Sequence, residues 1–323
     1  QLRDALSASR VGLRYARFSA RPTTLAFAHI VDGHATYTFY DEGTAGRMLA
    51  KADLPALEDG VAAMLFGAVS LISEPCGSTY EALMRREAER RVTMLDPNIR
   101  PAFITDRNAY VERFRRMMAH ADIVKLSDED LAWFGEDGNM EEIARRWLDG
   151  GPKLVIVTRG SQGAIGYTRH STVSAAPPPV AVVDTVGAGD TFNAGLLAAL
   201  HEQGALRKEA IASLSQEAAR QALDLALAEI PAMLREALGE TIAHEGGGDG
   251  PARRHAHPHA DDRGAQQRRP VARQAGPGPQ HHHQVDLRLL ALEHEPFLDR
   301  QQDLADAEQA DHHDQEVEAA HQF

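Results

Sequence analysis

The sequence predicts an α/β protein, in which a mostly parallel sheet is covered by helices on both faces and a small pair of strands stands apart. Three observations carry this. Short apolar runs alternate with amphipathic stretches at helical spacing through most of the first 230 residues. The central runs, KLVIVT above all, are apolar at nearly every position, as strands buried on both faces must be. Most of these runs exit into glycine- or proline-bearing turns, VTRG, LDPN and VVDTVGAG, so the polar and glycine-rich motifs gather at strand ends.

Taken in order, TTLAFAHIVDGHATYTFY (23–40) holds two extended runs around Asp32-Gly33, a strong hairpin signal. AAMLFGAVSLI is a buried strand, and STYEALMRREAERR an amphipathic helix. VTMLDPN is a strand with a proline turn. DRNAYVERFRRMMAHA is a helix, DIVKLS a strand, and DEDLAWFG and MEEIARRWLDGG are helices. KLVIVTRG is the next strand. AIGYTR and the stretch through VAVVD complete the extended set, and TFNAGLLAALHEQG is a helix ended by Gly204.

Composition narrows the function. The chain has 323 residues, 43% of them hydrophobic, and a net charge of −13. That charge argues against a general nucleic-acid binder or a ligand of anionic membranes. A single cysteine, Cys76, excludes an internal disulfide and fits a cytoplasmic setting. No apolar run approaches the roughly 20 residues of a membrane span. The N-terminus, QLRDALSASR, lacks the apolar core of a signal peptide. Residues 1–230 are expected to form the folded domain, and 231–323 a low-complexity tail. Beyond residue 230 only Phe297 and Phe323 are aromatic, and the Gly, Pro, Arg and Gln of 246–284 cannot bury enough surface to order that stretch. His281–His283 read as composition rather than a metal site.

The chemistry centres on DTVGAGD (184–190). Two glycines let the backbone turn tightly and present successive N–H groups. A helix starts at the same place, so its unpaired N–H groups and dipole point the same way and form a pocket for phosphate. The Lys-Ser/Thr of a P-loop is absent, and Asp190 stands beside the turn instead. A carboxylate there suits proton removal from a hydroxyl that attacks a γ-phosphate. The plain alternative is an aspartate capping a helix.

DTVGAGDTFNAG resembles the second signature of the ribokinase, or PfkB-like, carbohydrate kinases. The resemblance spans about residues 1–225. It implies a ribokinase-like three-layer α/β/α sandwich with a mostly parallel sheet and a small β-lid, incomplete at the N-terminus. It implies Asp190 as catalytic base, and Gly187, Ala188 and Gly189 as the anion hole. Asp184 would help hold a monovalent cation such as K⁺. VTRGSQGAIGY resembles the family's nucleotide-binding turn and places Thr158, Gly160 and Gly163 along ATP; a glycine-rich β-turn is the plain alternative. KLSDEDL carries Ser127 and Asp130 where the family has Asn-x-x-Glu, so Asp130 would organise Mg²⁺ through water; a Ser N-cap with an acidic first turn fits the same residues. LDPNIRP offers Asp96, Asn98 and Arg100 as substrate and phosphate contacts, against a proline turn with a surface arginine.

The hairpin resembles the lid over the sugar, with Tyr40 on the sugar side or in the lid core. Asp41 follows where acid-sugar kinases of the family carry arginine, which inclines the reading to a neutral sugar and fructokinase over 2-keto-3-deoxygluconate kinase. A homodimer through the lid stays open. The family's opening GE-x-x-x-D strand has no counterpart here, and the chain departs from the family after about residue 225. Truncation with a frameshift or gene-model error at the C-terminus is the expected cause, against a natural disordered extension. A non-catalytic nucleotide-binding remnant, or a fragment that does not fold, is the alternative.

Overall fold

The computed structural model describes residues 2–31, 34–178 and 187–245, with backbone alone at 2, 28–31, 34–37 and 231–245. A short helix α1 (Leu2–Ala8) precedes the lid strands β1 (Leu25–Val31) and β2 (His34–Tyr40). These pair antiparallel, with Leu25 opposite Tyr40 and Val31 opposite His34. The Asp32-Gly33 turn lies outside the described residues.

Among the described residues the main sheet has six strands in sequence order: β3 (Ala63–Gly67), β4 (Val92–Asp96), β5 (Ile123–Ser127), β6 (Leu154–Thr158), β7 (Ala164–Tyr167) and β8 (Thr172–Ala175). β3 through β6 are parallel, and β7 and β8 continue the sheet as an antiparallel meander. Helices α2 (Cys76–Glu87), α3 (Arg107–Met118), α4 (Asp128–Phe134) and α5 (Met140–Asp149) fill the connections between parallel strands. The C-terminal part adds α6 (Ala188–Glu202), the short α7 (Lys208–Ala212) and α8 (Gln216–Glu245).

The helix boundaries follow local chemistry. Asp106 caps α3 by accepting from the Ala109 N–H at 2.9 Å. Ser127 with Asp130, and Asn139 with Glu142, form reciprocal capping boxes at α4 and α5. Gly135 and Gly204 stop α4 and α6 in left-handed backbone, at φ 63° and 67°. The run AAMLFGAVSLI is only partly strand. It leaves the sheet at Gly67 and closes into a 3₁₀ turn over Ala68–Leu71. Gly67 pairs with Asp96 across the ladder, and a Cβ there would overlap the Asp96 carbonyl oxygen. The stretch VAVVD, expected to be extended, lies outside the described residues, as do the tail beyond 245 and its histidines.

The sheet separates two apolar cores, which gives the three layers. Leu95, Val124, Leu126, Val155 and Val157 face α2, α3 and α5, where Leu83, Met84, Phe114, Met117 and Trp147 are buried. Their neighbours Met94, Ile123, Leu154 and Ile156 face α6 and α8, against Phe192, Leu196, Leu200, Ala219, Leu223 and Leu227. This alternation is the period-two pattern of a strand covered on both faces. Each fully buried large side chain contributes about 1.5–3 kcal/mol. α6 and α8 approach closely: a side chain at Gly195 would begin 3.0 Å from the Cα of Ala226. α7 is tied to the far end of the sheet, where Lys208 donates to Asp122 at 2.6 Å.

Candidate active site

The parallel strands deliver their polar residues to one end. Asp96 closes β4, Ser127 closes β5 and Thr158 closes β6, with Ser127 and Thr158 paired in register. α6 begins at the same end. Gly187 caps it in left-handed backbone at φ 81°, and Asp190 lies in its first turn. The N–H groups of that turn have no partner within the helix, so the turn can accept an anion. The Thr191 N–H is the first to be satisfied, by the Gly187 carbonyl at 2.8 Å.

Three carboxylates converge here. Asp190 is held up to about 6, first by burial and then by the negative charge of Asp96; Lys125 and Arg100 pull the other way. Asp130 is also raised by burial and by Asp96, against the N–H groups of Ser127 and Ile99. Its two oxygens accept from Ile99 N at 2.9 Å and Ser127 N at 3.3 Å. The capping reading of Ser127 and Asp130 is therefore realised, and the cap holds a carboxylate close enough to feel Asp96. Tyr110, whose hydroxyl donates to the Pro97 carbonyl at 3.4 Å, is pushed up by burial and by Asp130 and Asp96.

Asp96 itself is 4% exposed and committed to neighbours. It accepts from Lys125 Nζ at 3.1 Å, from Asn193 Nδ2 at 2.7 Å and from the Asn98 N–H at 3.2 Å. Asn98 adopts φ 41°, in the left-handed region, and its side chain accepts from Arg100 Nη1 at 2.7 Å. Asn98 and Arg100 thus brace each other at the lip of the strand end. Thr158, Gly160 and Gly163 form the next turn along. Thr158 Oγ1 donates to the Leu126 carbonyl at 3.3 Å, and both glycines have positive φ, 53° and 81°.

Tyr40 stands apart from this cluster. It is 60% exposed on the lid and meets Phe27 edge-on at 5.6 Å. Asp41 serves the lid hinge: its Oδ1 accepts from Thr24 and from Thr44, each at 2.9 Å. That tie gives the carboxylate at position 41 a structural role in the hinge. Asp184 lies outside the described residues. Lys125 and Asn193 are functional candidates that pattern reading passed over. The available signal was a lysine inside the apolar run DIVKLS, since a charge in a buried strand requires a partner.

Known proteins resemble this chain in sequence and fold. The chain is 53% identical over 223 residues to a fructokinase of Rhizobium leguminosarum bv. trifolii, covering 69% of this chain and 68% of that protein. It is 34% identical to a fructokinase of Klebsiella pneumoniae, covering 71% of this chain and 72% of that protein. The crystal structure of Vibrio cholerae O395 fructokinase with fructose, ADP and calcium bound superposes with a TM-score of 0.61 at 25% identity, over 73% of this chain and 80% of that one. The ribokinase-like three-layer fold is thereby shown. Residues 1–225 match the model of the pfkB family carbohydrate kinases, and the chain belongs to that family.

Proposed function

We propose that the protein transfers the γ-phosphoryl group of ATP to a hydroxyl of fructose, with Asp190 as the base. The observation that carries this is Asp190 beside the glycine turn at the start of α6, with its proton affinity raised to about 6. A base poised near neutrality can take a hydroxyl proton as the oxygen attacks phosphorus. The N–H groups of Gly187, Ala188 and Gly189 are placed to receive the negative charge that develops on the phosphoryl oxygens. Fructose as acceptor rests on the likeness to the fructokinases.

Thr158, Gly160 and Gly163 are assigned to ATP on their position one strand from the anion turn. Asn98 and Arg100 are assigned to substrate or phosphate, and Tyr40 to the lid's approach to the sugar. Asp130 fits a water-mediated contact with Mg²⁺, because each of its oxygens keeps a lone pair after accepting one backbone N–H. When bound, Mg²⁺ supplies charge neutralisation on the phosphates. A monovalent cation such as K⁺ near Asp184 belongs to the same proposal, as does a cytoplasmic setting. Among the described residues no helix is long and apolar enough to cross a membrane.

The test is ATP-dependent phosphorylation of fructose by the purified chain. Turnover with fructose well above that with 2-keto-3-deoxygluconate is expected. The reverse preference, or ATP binding without transfer, overturns the assignment. The lid also presents Leu25, Phe27 and Tyr40 at 45%, 37% and 60% exposure on one face. Contiguous apolar surface of this kind supports a homodimer formed lid to lid. Sedimentation at micromolar concentration is expected to give a dimer that Phe27→Lys dissociates; a wild-type monomer excludes it.

A further inference from the structure

β5 carries a lysine within an apolar strand, and Lys125 is only 5% exposed. A buried ammonium persists only with a partner. Its partner is Asp96 Oδ2 at 3.1 Å, and that same oxygen accepts from Asn193 Nδ2 at 2.7 Å. Lys125, Asp96 and Asn193 come from β5, β4 and α6, the elements whose ends build the site. Asn193 lies three residues after Asp190, on the same side of α6 one turn further in. Lys125 faces the glycine turn itself, since a Cβ on Gly189 would stand 3.2 Å from Nζ. Among the described residues the buried Oδ1 of Asn193 has no hydrogen-bond partner, and the side chain's amide serves Asp96.

We propose that Lys125 is a positioning residue for Asp190, acting through a buried brace in which Lys125 and Asn193 fix the Asp96 carboxylate beneath the anion turn. The proposal rests on the assignment of Asp190 as base. The charged groups acting on Asp190 are Asp96 on β4, Lys125 on β5 and Arg100 in the loop after β4. Asp96 opposes ionisation of Asp190, whereas Lys125 and Arg100 favour it. The brace places the first two charges side by side, so removing either unbalances the field at the base in a known direction. A tie that only fastened strand to helix would cost stability without that signature.

The experiment compares Lys125→Met, Asp96→Asn and Lys125→Arg with the wild type. Two midpoints are read for each. One is the acid limb of kcat/KM against pH for fructose. The other is the titration of the Asp190 carboxylate by ¹³C NMR without sugar, assigned by its loss in Asp190→Asn. Lys125→Met should move both midpoints up by about one pH unit and Asp96→Asn should move both down by a similar amount. Lys125→Arg, which keeps the charge, should restore the wild-type midpoint. Midpoints that do not move, or that move the same way in the Met and Asn variants, overturn the proposal. If Lys125→Met does not fold, the downward shift in Asp96→Asn and the unshifted Lys125→Arg decide it. If the wild type fails to phosphorylate fructose, the carboxylate titrations still report on the brace, and only the assigned reaction falls.

Discussion

Replacing Asp190 with asparagine is expected to lower kcat by roughly 10²–10⁴-fold, the usual worth of a positioned general base. The substitution keeps the shape of the first turn of α6 and removes only the capacity to take a proton. Substrate affinity should change much less, because the anion turn is built from the backbone of Gly187, Ala188 and Gly189. In the wild type, kcat/KM should fall as pH drops through about 6, where Asp190 becomes protonated. The linkage to stability has the opposite sense from that of an ordinary ion-paired aspartate. The folded state keeps the Asp190 proton up to a higher pH than the unfolded chain, whose value is near 3.8. Ionisation therefore costs stability as pH rises from about 4 through 6. Asp190→Asn avoids that cost, so the inactive variant should resist urea at pH 7 at least as well as the wild type. Retained turnover in Asp190→Asn, measured by coupled ADP release, would remove Asp190 from the role of base.

The second large effect is expected at Gly163. Its φ of 81° lies where a side chain is strained, and a Cβ would overlap the carbonyl oxygen of Ala175 on β8. Gly163→Ala should destabilise the protein by roughly 2–6 kcal/mol, from backbone strain and overpacking together. Gly160 provides the control. Its φ is 53°, but a Cβ there meets nothing within 4 Å. Gly160→Ala should cost only about 1–2 kcal/mol of left-handed strain. Urea melts of the two variants test this, and equal midpoints would refute it. The two glycines of one motif thus have different reasons to be glycine, and loss of activity in Gly163→Ala says nothing by itself about ATP.

Much of this was legible in the sequence, for identifiable reasons. The strands of the sheet read clearly because burial on both faces leaves runs such as LVIV with no polar position. The helices read clearly because Ser127, Asn139 and Gly204 mark their ends. Asp190 and the glycine turn were found because their chemistry is local. The brace was not found, since Lys125 and Asn193 lie 29 and 97 positions from Asp96, whose oxygen they share, and only the fold joins them. The hinge tie of Asp41 was not legible for a related reason. Its partners Thr24 and Thr44 lie on the two flanks of the lid, and a single position carries no sign that its carboxylate is already occupied. The early end of β3 depended on the approach of the Asp96 backbone to Gly67, which no window of sequence contains.

The close seat of α6 on α8 bears on how this protein can change over time. Gly195 faces Ala226, and Ala219, Ala222 and Ala226 are all fully covered. Asp190 rides on α6 five residues before Gly195, so the spacing between two helix backbones helps set where that carboxylate stands. A larger residue at Ala226 would press on Gly195 and displace α6, carrying Asp190 with it. Position 226 therefore favours a small residue, and α8 acts as a gauge block behind α6.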